Sequence, residues 1–178
     1  MSDPATLADA IRATGPLIER FLEGFDDENR VKQMPSLPNH AAWTLGHLAL
    51  VMNRAADYVS GFTEPQRLPT SDWIHGDGTA GDPSRYDTEA VAFGSTPVAD
   101  PAKYPRMVRA REIFMTAVTR FADETAAASP KALEREVKWG SATIVVDALV
   151  HRVIFHNGTH AGQLIDLRRA LKLPQVIG

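Results

Sequence analysis

At 178 residues the chain is long enough to bury its own core, so residues 1–178 are expected to form a single domain. It has no cysteine, which excludes disulfides, thiolate metal ligands and a cysteine nucleophile, and leaves nitrogen and oxygen as metal donors. A net charge of -3 with mixed signs offers no basic footprint for nucleic acid, and neither a membrane span nor, within Met1–Gly15, a signal-peptide core is present, so a cytoplasmic protein is expected.

Ser2 and Asp3 before Pro4 announce a first helix, whose apolar residues Leu7, Ile11, Leu17, Ile18 and Phe21 recur at helical spacing. Pro16 is expected to kink it, and Gly24 with Asp26, Asp27 and Glu28 to end it. Asn39 is the candidate cap of a second helix running to about Gly61. From Phe62 to Tyr104 prolines and glycines are scattered among Asp, Ser and Thr, which reads as one long loop. A crossover between two parallel neighbouring helices has this length, and Trp73, Tyr86, Phe93 and Tyr104 would pack it down. A third helix is expected from about Pro105 to Ala128, stopped by Ser129 and Pro130, and a last one from near Thr143 to about Leu171. The fold class is therefore all-α, a bundle of four helices; Ile144 to Val146 alone is open to misreading as a strand.

On a helical wheel of the last helix, Leu149, Val153, His156, His160, Leu164, Leu167 and Leu171 fall within an arc of roughly 80°. Two histidines thus lie in an apolar stripe, one turn apart, where their rings can converge on one ion. A shared cation would also relieve the cost of burying both rings. His47, in the apolar run Trp43-Thr44-Leu45-Gly46-His47-Leu48, is either the third ligand or a core histidine with both nitrogens satisfied. It shares a side of the second helix with Trp43, Leu50, Val51, Arg54 and Tyr58, opposite a stripe of Ala42, Leu45, Ala49, Met52 and Ala56. That helix is expected to be covered on both sides, by the core and by a further surface such as another subunit. His40 is about 10 Å along the helix from His47, too far to share an ion. His151 faces away from the leucine stripe, and His75 lies in the crossover beside Asp77.

The segments W-T-L-G-H-L at 43–48 and H-N-G-T-H-A-G-Q-L at 156–164, followed by Leu167-Arg168-Arg169, resemble the DinB-like superfamily, and the likeness extends over essentially the whole chain. The resemblance implies an up-down-down-up four-helix bundle with a long crossover loop between helices 2 and 3. It also implies a divalent metal ion, commonly zinc or nickel, held by His47, His156 and His160. Members of the superfamily include S-transferases using bacillithiol or mycothiol, a mycothiol-dependent maleylpyruvate isomerase and proteins assigned as hydrolases, so the likeness alone does not choose a reaction.

Three neutral imidazoles would leave such an ion its full charge and an open position. One expected chemistry is activation of a low-molecular-weight thiol co-substrate, supplying the nucleophile that the chain lacks, for S-transfer to a small-molecule electrophile. A second is hydrolysis by a metal-bound water, for which no general base stands out in the sequence. In a third reading, from a different class, the metal only secures a non-catalytic bundle. Gln163, beside His160, is a candidate to orient a ligand, Arg54 to pair with a substrate carboxylate, and Trp43 and Tyr58 to line a pocket, each against an ordinary packing role. Gly158 and Gly162 cost about 1 kcal/mol each in a helix interior, so a close-packed neighbour is expected there, in this chain or in a second copy forming a homodimer.

Overall fold

In the computed structural model, which describes residues 2–65 and 88–176, the Asp3 carboxylate accepts the Thr6 amide at 2.8 Å and so caps α1 (Pro4–Phe21). The apolar residues Leu7, Ile11, Ile18 and Phe21 are buried, and the helix continues through Pro16 to Phe21. The next helix, α2 (Ala41–Val59), is capped by His40 and not by the expected Asn39. Its ring Nδ1 accepts the Trp43 amide at 3.1 Å, an acceptor role that asparagine oxygen usually fills at this position. From Ala41 to Met52 every residue of α2 is buried.

After α3 (Met107–Ala127) and the short α4 (Pro130–Glu134) comes an antiparallel hairpin, β1 (Glu136–Trp139) and β2 (Ala142–Val145), before α5 (Val146–Ala170). This corrects the all-α expectation, and it moves the start of the last helix from near Thr143 to Val146. The physical reason is a period of two: Val137 and Trp139 face inward while Glu136 and Lys138 face out, and Ala142 and Ile144 alternate with Thr143 and Val145. Gly140, at φ 61°, opens the two-residue turn between Trp139 and Ala142. The Trp139 ring meets Tyr58 edge-on, with centroids 6.0 Å apart.

The described chain is mostly helical. Helices α1 and α2 each pack against both α3 and α5, and the large side chains at their centre, among them Ile11, Leu45, Phe114, Phe121 and Leu149, are fully buried. No helix among the described residues is long and apolar enough to cross a membrane.

Buried arginines tie the segments between helices to this core. Arg168 donates to the carbonyls of Phe21 at 3.0 Å, Glu23 and Pro174, joining the end of α1 to the segment after α5. Arg30 donates to Pro105 at 3.1 Å, Pro101 at 3.0 Å and Asp27, fastening the return of the crossover. Tyr104 packs down as expected, whereas Phe93 is 96% exposed and does not; the buried anchor of that stretch is Val91. Trp73, His75 and Tyr86 lie outside the described residues. Among the described residues nothing comes within 4 Å of a methyl group added at Gly158 or Gly162, so none of them is the close neighbour expected there.

Candidate metal centre

His47 comes from the middle of α2, and His156 and His160 come from successive turns of α5, which packs against it. Nε2 of His156 lies 3.1 Å from Nε2 of His47 and 3.2 Å from Nε2 of His160. His47 and His160 are buried and His156 is half-buried, and one nitrogen from each ring lies within 4.8 Å of the others. The third element at the site is the turn Thr88–Val91, whose last carbonyl receives a hydrogen bond from Nδ1 of His47 at 2.6 Å. A carbonyl only accepts, so the His47 proton is on Nδ1 and its Nε2 presents a lone pair to the other two rings.

Proton placement shows that these rings fit a cation. With Nε2 of His47 bare, a proton on Nε2 of His156 would satisfy that contact but leave His160 as a second acceptor of the same hydrogen. If instead His160 donates to His156, two lone pairs face each other across the 3.1 Å contact. No arrangement of neutral rings gives each short contact its own hydrogen bond. A single cation accepting three lone pairs does satisfy all of them. Spacing agrees: nitrogens bound about 2.0–2.1 Å from one tetrahedral ion stand roughly 3.3 Å apart.

Electrostatics keep the rings neutral and able to donate. Burial pushes His160 down from 6.5 to about 3, with the neighbouring His156 and His47 rings acting in the same direction. His156 falls to about 4, chiefly by burial and then through His47, while the Asn157 side chain opposes the shift. His47 is lowered by burial first, against the Val91 hydrogen bond, with Arg54 adding to the lowering. Among the described residues, Nδ1 of both His156 and His160, and Oδ1 of the buried Asn157, meet no partner at hydrogen-bonding geometry.

Around the three rings the structure separates the other expected site residues. Trp43 stacks on His47, centroids 4.5 Å apart and planes 13° from parallel, and its indole N–H donates to the Ala90 carbonyl at 3.2 Å and Ser95 Oγ at 3.0 Å. Gln163 interacts with His160 and accepts from Asn39 Nδ2 at 3.1 Å, linking α5 to the chain just before α2. Arg54, half-buried, reaches the site through its charge. Tyr58 does not line it: eleven residues along α2 from His47, about 16 Å of rise, it packs on the hairpin. The side of α2 bearing Trp43 and His47 is covered by the returning crossover and α5.

His151 is exposed and bonds Ser2 Oγ at 2.8 Å. His40 is fully buried, and its Nε2 donates to the Val98 carbonyl at 3.2 Å. Residues that the spacing of the histidines did not point to are Val91, Ala90, Ser95 and Asn157. The first three lie more than thirty residues beyond the end of α2 in a segment with no periodicity, and only Asn157 carries a signal, as a polar residue between two stripe histidines.

A family model described as the DinB superfamily matches residues 10–164. No curated protein matches the chain.

Proposed function

The chain belongs to the DinB superfamily, and from that premise we propose that it is a divalent-metal-dependent enzyme activating a low-molecular-weight thiol for S-transfer to a small electrophile. Its four long helices are taken as the up-down-down-up bundle of that superfamily, its ligands as His47, His156 and His160, and its metal as zinc or nickel. The setting proposed is the cytoplasm, with small molecules as the partners and a second copy of the chain as the only macromolecular one.

The observation that carries this reading is the convergence of three neutral imidazoles on one point. When bound, the ion stabilises a thiolate at neutral pH. The three rings hold it without cancelling its charge, Val91 orients His47, and Arg54 adds positive potential that also favours an anionic sulfur. The thiol proton leaves to solvent, the sulfur forms a bond to the electrophilic carbon, and the leaving group departs with the bonding pair. Having no cysteine, the chain takes its nucleophile from solution.

Hydrolysis ranks second on a specific ground. Among the described residues the groups acting on the three rings are other imidazoles, amides, the Val91 carbonyl and Arg54; no carboxylate is among them to serve as general base.

The test is elemental analysis of purified wild type and of His47→Ala, His156→Ala and His160→Ala, followed by incubation of zinc- or nickel-loaded protein with low-molecular-weight thiols and an aryl halide. One equivalent of metal in the wild type, its loss in each variant, and thioether formation that requires all three histidines support the proposal. Three folded variants that retain stoichiometric metal would overturn the ligand set. Ester or amide cleavage without thiol would replace transfer by hydrolysis, and inactivity with metal-dependent melting would leave a structural metal.

A further inference from the structure

The indole of Trp43 contacts the candidate centre by two routes that meet on one ring. Its face lies parallel to His47 at a centroid distance of 4.5 Å, which restricts rotation of that imidazole. Its N–H is shared between the Ala90 carbonyl and Ser95 Oγ, which flank Val91, whose carbonyl receives the Nδ1 proton of His47. Val91 itself is buried, so the turn is pinned by an apolar side chain and by the indole N–H together.

We infer that Trp43 is a positioning residue of the candidate metal centre, holding His47 in plane by stacking and in the Nδ1–H tautomer by seating the segment 90–95 around Val91. This rests on the metal reading for its consequence, but the tautomer is a property of the metal-free protein. The indole N–H places the turn, the turn places the Val91 carbonyl, and the carbonyl keeps the His47 proton on Nδ1. Nε2 is thereby left free toward His156 and His160. A packing tryptophan of the same size would leave the tautomer indifferent to its N–H.

Trp43→Phe keeps an aromatic face and removes the N–H; Ser95→Ala removes one of its two acceptors from a half-buried surface position. Nitrogen-detected NMR of the metal-free proteins reads the His47 tautomer, and zinc titration reads affinity. Expected are a mixture of tautomers in Trp43→Phe with affinity lowered about 10–100-fold, and a smaller change of the same sign in Ser95→Ala. A single Nδ1–H tautomer and unchanged zinc affinity in folded Trp43→Phe would overturn the inference; should that variant not fold, the same result in Ser95→Ala would do so. Wild type that binds no zinc yet shows the Trp43-dependent tautomer would sink the metal reading and leave the positioning role standing.

Discussion

Arg168 and His160 lie on the same helix, about 12 Å apart along its axis, and both are buried, yet their surroundings are opposite in kind. The guanidinium of Arg168 is surrounded by the carbonyls of Phe21, Glu23 and Pro174, so its charge arrives with its acceptors already placed. The imidazole of His160 is directed at another imidazole, and its buried Nδ1 meets no partner at hydrogen-bonding geometry among the described residues. Burial of a cation is stabilised in the first region by oxygen atoms of the chain. In the second region the chain assembles donors that could hold a cation from solution.

The contrast breaks first at Arg168. Arg168→Met leaves several carbonyls without their donor and is expected to cost roughly 3–4 kcal/mol in chemical denaturation, with metal per folded molecule unchanged. A loss below 1 kcal/mol would mean that water replaces the guanidinium freely.

His40 lies between the two kinds of region, since it is a buried imidazole with both nitrogens engaged. Burial, the leading cause, brings it from 6.5 to about 4. Because the folded value lies below the unfolded one, its contribution is complete above pH 6.5. As pH falls toward 4 the unfolded chain takes up a proton that the folded chain refuses, and about 3 kcal/mol is lost across that window. His40→Asn keeps a capping acceptor and removes the titration, so the wild type and this variant should differ in acid slope between those limits. Parallel slopes would remove His40 from the acid response.

Metal should stabilise only the histidine region. At a hundredfold excess over Kd, binding adds about 2.7 kcal/mol, or roughly 5–10 °C in Tm, and His160→Ala abolishes the shift. Release on acidification is expected well below the ordinary imidazole value of 6.5, because buried rings near 3 and 4 compete weakly for protons. Loss of metal already above that value would contradict the burial. The smallest effect falls on the exposed side of α5, where Gly158→Ala and Gly162→Ala meet nothing among the described residues and should each raise stability by about 1 kcal/mol. A decrease measured for either would reveal a second copy packed on that face, next to Phe155, which is 78% exposed.

Legibility in the sequence follows the same division. The His156 and His160 pair could be read from four-residue spacing within a leucine stripe, because helix geometry alone brings such rings together. His47 was open between ligand and core residue until α2 and α5 were seen to pack. The partners Val91 and Ser95 were not legible, since nothing in residues 62–104 encodes which carbonyl returns to which ring. The hairpin is hidden in the sequence for another reason: strands of four residues offer only two inward positions each, too few for a period of two to stand out against a following helix. His40 hid as a cap because histidine is an unusual choice where Asn39 stood one residue earlier.

The Arg168 clasp also bears on timing during synthesis. The contacts that close α1 against α5 and that bring His47 to His156 join residues separated by 147 and 109 positions, so they carry a large loop-closure cost and form late. A nascent chain emerging from the ribosome displays His47 long before its two companions exist, and a single imidazole holds a divalent ion poorly. An ion held by these three rings would therefore be selected only once α5 has been made, when it meets a complete donor set rather than an isolated ring.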